Sequence, residues 1–136
     1  MTARVAAVAA AVVLAVALAA CGGGGDSGGG AASPAPGTPA AQGEQLVERL
    51  GCLSCHTTNG ARGAGPTWKG VAGRQVKLSD GTTVTADDEY LRRSILDPSA
   101  QVVAGFPGGL MAATVKPGSV TPEQADQIVA FLRTVR

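Results

Sequence analysis

The sequence predicts a small all-α domain in which short helices are separated by loops rich in glycine and proline. Apolar residues recur at helical spacing near both ends of the domain, and capping residues mark a third helix between them. The domain is predicted to span residues 42–136 of the 136-residue chain. That length, about 95 residues, is enough for one domain and too short for two.

Local patterns predict the elements in order along the chain. Gln42–Leu50 is predicted to be a helix, because its apolar residues share one face and its glutamates lie on the other. Thr57–Gly73 contains five glycines and a proline and is predicted to be a loop. Val76–Val84 alternates around an Asp-Gly pair, which predicts a small hairpin. Asp87–Leu96 is predicted to be a helix capped by its first residue, and Ser99–Ser119 to be a loop.

The last segment carries the clearest helix signal. Thr121-Pro122-Glu123-Gln124 provides an N-cap threonine, a proline in the first turn and a glutamine at the third position, which is the pattern of a capping box. Farther along, Ile128, Phe131, Leu132 and Val135 fall within about 100° of one helical face. This apolar stripe is predicted to face the core.

Composition and charge exclude some classes of function. Eleven lysines and arginines accompany ten aspartates and glutamates, and Arg4 lies in a segment that is predicted to be removed, so the mature chain should be neutral. The sequence has no basic run and no basic residues interleaved with aromatic ones, which argues against binding to nucleic acid. Three cysteines are an odd number, which argues against a framework of disulfides alone.

The N-terminal segment is predicted to target the protein for export. A short charged start precedes an unbroken apolar run, Val5–Ala20, which is shorter than the roughly 20 residues of a membrane span. Leu18-Ala19-Ala20-Cys21 resembles the lipobox of bacterial lipoproteins, a resemblance that implies cleavage after residue 20 and lipidation of Cys21. Residues 21–41 would then form a flexible tether rich in glycine, serine and proline. The alternative is an ordinary signal peptide or an uncleaved anchor in which Cys21 has no role.

The candidate chemistry lies in Cys52-Leu53-Ser54-Cys55-His56, the C-x-x-C-H pattern of covalent haem attachment. In a helical turn the two thiols and the imidazole share one side, where the thiols can add to the vinyl groups of a porphyrin and the imidazole can reach the iron. A redox dithiol of thioredoxin type would instead follow a strand, and a structural zinc site normally needs four ligands. The sequence therefore predicts one covalently bound haem c.

The segment 42–136 resembles class I c-type cytochromes, and especially the cytochrome domain fused to subunit II of some haem-copper oxidases. Besides the attachment motif, three runs of sequence carry the resemblance: Gly65-Pro66-Thr67-Trp68-Lys69-Gly70-Val71-Ala72-Gly73-Arg74, Tyr90–Pro98 and Ile128–Arg133. The resemblance implies a small cytochrome c fold in which the first and last helices cross, with Gly43 and Phe131 at the crossing, and in which loops wrap the haem.

The resemblance also implies roles for individual residues. His56, the only histidine, would be the proximal iron ligand. Met111, the only methionine left once the signal is removed, would be the distal ligand, with Lys116 as the other conceivable one. Ala112 departs from the family, which usually has a proline after this methionine, and that departure predicts a less rigid loop.

Three further residues would support the haem. The Pro66 carbonyl would accept a hydrogen bond from the second ring nitrogen of His56. Trp68 occupies the place of the usual leucine; it would line the pocket and could donate its indole N–H. Arg74 would pair with a haem propionate, although an exposed and solvated arginine is the alternative.

The predicted function is that of a membrane-tethered electron carrier outside the cytoplasm, facing the periplasm or the cell exterior, rather than an enzyme. Its expected partners are redox proteins such as a terminal oxidase, a quinol–cytochrome c reductase or a dehydrogenase. One alternative is a haem enzyme or small-ligand sensor with an open sixth position at the iron. Another is a cytochrome subunit permanently fixed in a respiratory complex.

Overall fold

The computed structural model describes residues 33–136, so the predicted signal segment, Cys21 and the tether up to residue 32 lie outside the described residues. The prediction of an all-α domain is only partly correct, because four helices are accompanied by a small two-stranded sheet. The elements in chain order are α1 (Pro39–Arg49), β1 (Gln75–Lys77), β2 (Thr83–Thr85), α2 (Asp88–Leu96), α3 (Leu110–Thr114) and α4 (Pro122–Leu132).

Helix α1 begins at Pro39, not at Gln42 as predicted. The side chain of Thr38 accepts a hydrogen bond from the backbone N–H of Ala41 at 3.2 Å, and Pro39 occupies the first turn, where its missing N–H costs nothing. Just before the helix, Ser33 donates a hydrogen bond to Glu44 at 3.3 Å. The last part of the predicted tether is therefore folded onto the domain.

Helices α1 and α4 cross at Gly43, as the resemblance implied. A Cβ atom added at Gly43 would overlap the carbonyl oxygen of Gln127 and would lie 2.9 Å from the Cβ of Phe131. Only glycine therefore allows the two backbones to come this close. Leu46 and Val47 of α1 are buried on the same side, and they belong to one apolar core with the buried face of α4.

Helix α4 confirms its predicted cap and its predicted buried stripe. The Thr121 hydroxyl accepts a hydrogen bond from the N–H of Gln124 at 3.2 Å, and the Gln124 side chain accepts one from the N–H of Thr121 at 2.9 Å. The four residues of the stripe are all buried: Ile128, Phe131, Leu132 and Val135.

The middle of the chain forms the predicted hairpin and the predicted capped helix. Strands β1 and β2 are antiparallel, with Val76 opposite Val84. Helix α2 follows Asp87, whose carboxylate accepts a hydrogen bond from the N–H of Tyr90 at 2.8 Å. Beyond the hairpin, Leu78 forms an isolated bridge with Val103 and so ties the following segment to this sheet.

Residues 99–119 are predicted to be a loop, but they contain helix α3. Gly109 precedes this helix with a φ of 83°, a left-handed conformation that glycine adopts without strain. The N–H of Ala113 then donates to the carbonyl of Gly109 at 2.8 Å. Met111 consequently lies in the first turn of a five-residue helix. Within residues 33–136, no helix is both long and apolar enough to cross a membrane.

Candidate functional site

The C-x-x-C-H segment follows α1 through a sharp change of direction. Gly51 has a φ of 70° and ends the run of helical backbone, after which Cys52–Ser54 forms a short 3₁₀ turn. The N–H groups of Cys55 and His56 both donate to the Cys52 carbonyl, at 3.2 and 3.1 Å. The motif is therefore a tight turn of its own and does not continue α1.

Both thiols of this turn are free and partly exposed. Cys52 packs against the apolar core, and its burial raises the pKa of its thiol, with the charge of Cys55 acting in the same direction. Two unpaired thiols on one turn can form two thioether bonds to a single planar group.

His56 is held by a backbone carbonyl on the loop that follows it. Its Nδ1 lies 2.8 Å from the carbonyl oxygen of Pro66, which is the contact that the resemblance implied. Burial lowers the pKa of His56, and the hydrogen bond with Pro66 opposes that shift in part. A neutral imidazole whose Nδ1–H is donated to a carbonyl presents its Nε2 lone pair, which is the form that binds a metal.

Trp68 stacks on the imidazole of His56. The two ring centroids are 4.7 Å apart and the planes are inclined by 15°. The Trp68 ring is also nearly perpendicular to that of Phe131 of α4, with an angle of 82° and centroids 6.5 Å apart. Trp68 is buried, and its backbone N–H donates to the carbonyl of Thr57 at 2.7 Å. The resemblance implies that Trp68 lines the haem pocket, but nothing in the sequence predicts its stacking on His56.

Two glycines let the loop after the motif fold back onto it. A Cβ atom at Gly65 would lie 2.6 Å from Cε1 of His56, and one at Gly63 would overlap the carbonyl oxygen of Cys55. The N–H of Gly65 also donates to that Cys55 carbonyl at 2.9 Å. The sequence shows that this loop is rich in glycine. It does not reveal the contacts with His56 and Cys55 that require glycine at these two positions.

Arg74 lies beside the same loop, in an exposed position. Its guanidinium donates to the carbonyls of Thr67 and Lys69, at 3.2 and 3.4 Å. The side chain is therefore directed along the backbone next to Trp68 and is not fully free in solvent. Its predicted pairing with a propionate remains a prediction.

Met111 and Lys116 lie on a separate part of the chain, in and after helix α3. Met111 is partly buried, whereas Lys116 is exposed beyond the C-terminal end of that helix. Among residues 33–136, no hydrogen bond joins this segment to the turn that carries the thiols and His56. The structure thus brings together Cys52, Cys55, His56, Pro66 and Trp68, and places Met111 on a different segment, in helix α3.

The donor set on the turn fits a covalently attached metalloporphyrin. Two free thiols on one turn suit two thioether bonds, and one neutral imidazole with a fixed tautomer suits a single axial bond to a metal. The stacked Trp68 adds an apolar wall beside the imidazole.

Comparisons with known proteins agree with this chemistry. The family described as cytochrome c matches residues 40–136 of the chain. Among solved structures, cytochrome cH from Methylobacterium extorquens is similar with a TM-score of 0.51 and 31% sequence identity, and the match covers 70% of this chain and 97% of that one. A search among curated proteins finds no match.

The fit of Gly65 against the imidazole gives a direct test of the site. Gly65→Ala is expected to push the His56 ring away from the Pro66 carbonyl and to lower the free energy of unfolding by about 2 kcal/mol, as overpacking typically does. Ala64→Ser, on the exposed neighbouring residue, is the matched control. Urea unfolding of the haem-loaded protein and the NMR signals of the His56 ring check this. Unfolding and ring signals identical to those of the control would contradict the packing described here.

Proposed function

The chain belongs to the cytochrome c family, and from this we propose that it is a membrane-tethered electron carrier whose haem c iron is bound by His56 and Met111. Family membership implies the covalently bound haem and electron transfer through it. The iron ligands, the membrane tether and the redox partners belong to our proposal. The contact between His56 Nδ1 and the Pro66 carbonyl is the observation that supports the proposal most directly.

Haem c supplies a one-electron couple, and the residues of this chain set how readily it accepts an electron. Cys52 and Cys55 would hold the edge of the macrocycle on the turn after α1. His56 would bind the iron through Nε2, because Nδ1 is hydrogen-bonded to the Pro66 carbonyl. That hydrogen bond makes the imidazole a stronger electron donor to a metal. Trp68 keeps the imidazole in one plane and shields it from water.

Met111 is the ligand proposed for the other side of the iron. The chain contains one histidine and two methionines, and the other methionine, Met1, lies in the predicted signal segment. A thioether stabilises ferrous iron relative to a second imidazole and so raises the reduction potential, which suits a carrier placed late in an electron-transfer chain. Lys116 is exposed, and its binding would require loss of a strongly hydrated charge.

If His56 and Met111 both bind the iron, no site on the iron would remain for a substrate, so electrons would pass through the haem to a partner at the protein surface. Leu53 lies between the two cysteines and Leu110 lies next to Met111, and each is 43% exposed. Apolar side chains in these positions suit contact with another protein next to the haem. The partners would be redox proteins such as a terminal oxidase, a quinol–cytochrome c reductase or a dehydrogenase.

Ala112 favours a second candidate function, that of a small-ligand sensor. Where the family usually has a proline after the distal methionine, alanine leaves the backbone free to rotate. Met111 would then leave the iron more easily, and a small molecule could bind in its place.

The membrane tether rests on the sequence pattern around Cys21. Lipid chains on that cysteine would hold the protein at a membrane, and two or more chains are needed for stable attachment. About twenty residues of glycine-, serine- and proline-rich chain would allow a reach of roughly 25 Å from the membrane. The contact between Ser33 and Glu44 shortens that reach, because the end of the tether lies on α1.

Removal of the Met111 thioether is expected to lower the midpoint potential and to open the iron to carbon monoxide. In Met111→Ala the fall should be about 100 mV, or about 2.3 kcal/mol for one electron, since about 59 mV is a tenfold change in the equilibrium constant. Haem should remain attached, because both thioethers are untouched. Leu110→Ala, on the exposed neighbour, is the control.

Redox titration and carbon monoxide titration of the reduced protein check this result. If Met111→Ala and Leu110→Ala keep the same potential and the same carbon monoxide affinity as the wild type, Met111 is not the ligand. Lys116→Ala then tests the remaining candidate.

Substitution of the proposed lipidated cysteine should release the protein from the membrane. Cys21→Ser is expected to fractionate as a soluble protein that still contains haem, whereas the control Ser27→Ala should stay with the membrane. Fractionation without detergent and the intact mass of each protein measure the outcome. A wild-type protein that is soluble without detergent would refute the tether and would leave the haem site unaffected.

A further inference from the structure

Arg62 joins the loop after the C-x-x-C-H motif to the segment that leads to Met111. Its Nη2 donates to the carbonyl of Gly105 at 2.6 Å, and its guanidinium carbon lies 4.5 Å from the centroid of the Phe106 ring. One side chain therefore contacts both the backbone and an aromatic ring of a segment that is 43 residues away. The planar guanidinium can make both contacts at once.

The loop that carries Arg62 is fixed to the turn that contains the C-x-x-C-H motif. On one side, Gly63 leaves space for the carbonyl of Cys55, and the N–H of Gly65 donates to that same carbonyl at 2.9 Å. On the other side, the hydroxyl of Thr57 donates to the carbonyl of Ala61 at 2.5 Å. Arg62 thus extends from a loop that is held close to Cys55 and His56.

The segment at the other end of Arg62 makes few polar contacts with the rest of the domain, although Val115, after Met111, packs against the apolar core. Upstream of Gly105, the hairpin holds the chain through two backbone hydrogen bonds, Ser79 to Val102 at 2.8 Å and Ala104 to Lys77 at 2.9 Å. Among residues 33–136, the hydrogen bonds made by residues 107–119 stay within that segment. Along the chain toward Met111, the contacts of Arg62 are therefore the last polar contacts with a distant part of the sequence.

We propose that Arg62 is a positioning residue that holds the Met111 segment in place and so keeps the thioether on the iron. The inference rests on the proposed function, in which Met111 is the distal ligand. A thioether–iron bond is weak, so the fraction of bound methionine depends on how far the segment is ordered beforehand. In this chain Ala112 does not restrict the segment as a proline would, and Arg62 restricts it from outside.

Arg62 differs from the arginines that form ion pairs within residues 33–136. Arg92, Arg93 and Arg133 each form an ion pair with a carboxylate on a helix. Arg62 instead uses its guanidinium on a carbonyl and an aromatic ring of the distal segment. Arg133 is exposed and pairs with Asp88 at 3.0 Å, so Arg133→Gln removes the same charge at a site away from that segment.

The test compares Arg62→Gln with Arg133→Gln in the full-length haem-loaded protein. Arg62→Gln should bind carbon monoxide about tenfold more tightly in the reduced state, equivalent to about 1.4 kcal/mol, because the apparent affinity rises with the fraction of molecules in which methionine is off the iron. The charge-transfer band of the ferric iron–thioether bond should weaken in the same variant. Amide hydrogen exchange of residues 107–119 should become faster, and Arg133→Gln should change none of the three.

A second variant tests whether Phe106 acts with Arg62. Phe106→Leu should also tighten carbon monoxide binding, by a smaller factor than Arg62→Gln. The double variant Arg62→Gln/Phe106→Leu should match Arg62→Gln alone, because the two residues belong to one contact. Additive effects would show that they act separately and would overturn the proposed link.

Met111→Ala separates failure of this inference from failure of the proposed function. If Met111→Ala tightens carbon monoxide binding while Arg62→Gln behaves like Arg133→Gln, the ligand stands and the role of Arg62 is refuted. If Met111→Ala leaves carbon monoxide binding unchanged, the ligand assignment fails and the role of Arg62 fails with it. In the Met111→Ala background, Arg62→Gln should have no further effect.

Discussion

The close approach of α1 and α4 at Gly43 is the constraint on which the rest of the site depends. Because glycine lets the two backbones touch, Phe131 of α4 is buried where its ring packs nearly perpendicular to that of Trp68. The face of Trp68 then stacks on His56, and the carbonyl of Pro66 holds Nδ1 of the same imidazole. A continuous set of contacts therefore leads from the crossing of the terminal helices to the proposed iron ligand.

The two sides of the proposed haem site are held very differently. On the side of His56, a stacked ring, a carbonyl acceptor and the closely packed Gly65 fix the imidazole in one orientation. On the side of Met111, a five-residue helix lies in a segment whose hydrogen bonds are local; Arg62 makes a polar contact just before this segment, and Val115 packs against the core after Met111. The proposed proximal ligand is therefore held more firmly than the proposed distal ligand. A change in iron coordination, and hence in reduction potential, would involve the Met111 segment.

Local chemistry in the sequence was enough to predict the elements that cap or pair with near neighbours. The capping box of α4, the Asp87 cap of α2 and the hairpin all depend on residues within about ten positions of each other. The start of α1 was missed because Thr38 and Pro39 lie in a stretch that reads as tether, and α3 was missed because five residues are too few to show a helical period. The crossing at Gly43 and the Pro66 contact were implied only by the family resemblance. The stacking of Trp68 on His56, the packing of Gly65 and the reach of Arg62 to Phe106 depend on tertiary contacts, which no local pattern encodes.

The proposed binding of one iron by His56 and Met111 is directly measurable in this sequence. Met111 is the only methionine in the described domain, so ¹³C labelling of methionine methyl groups places one signal there. In the reduced haem-loaded protein, we expect this methyl signal to be shifted far upfield, because a methyl group bound next to the iron would lie in the ring current of the porphyrin. A methyl signal at the ordinary position for a solvent-exposed methionine would contradict the account.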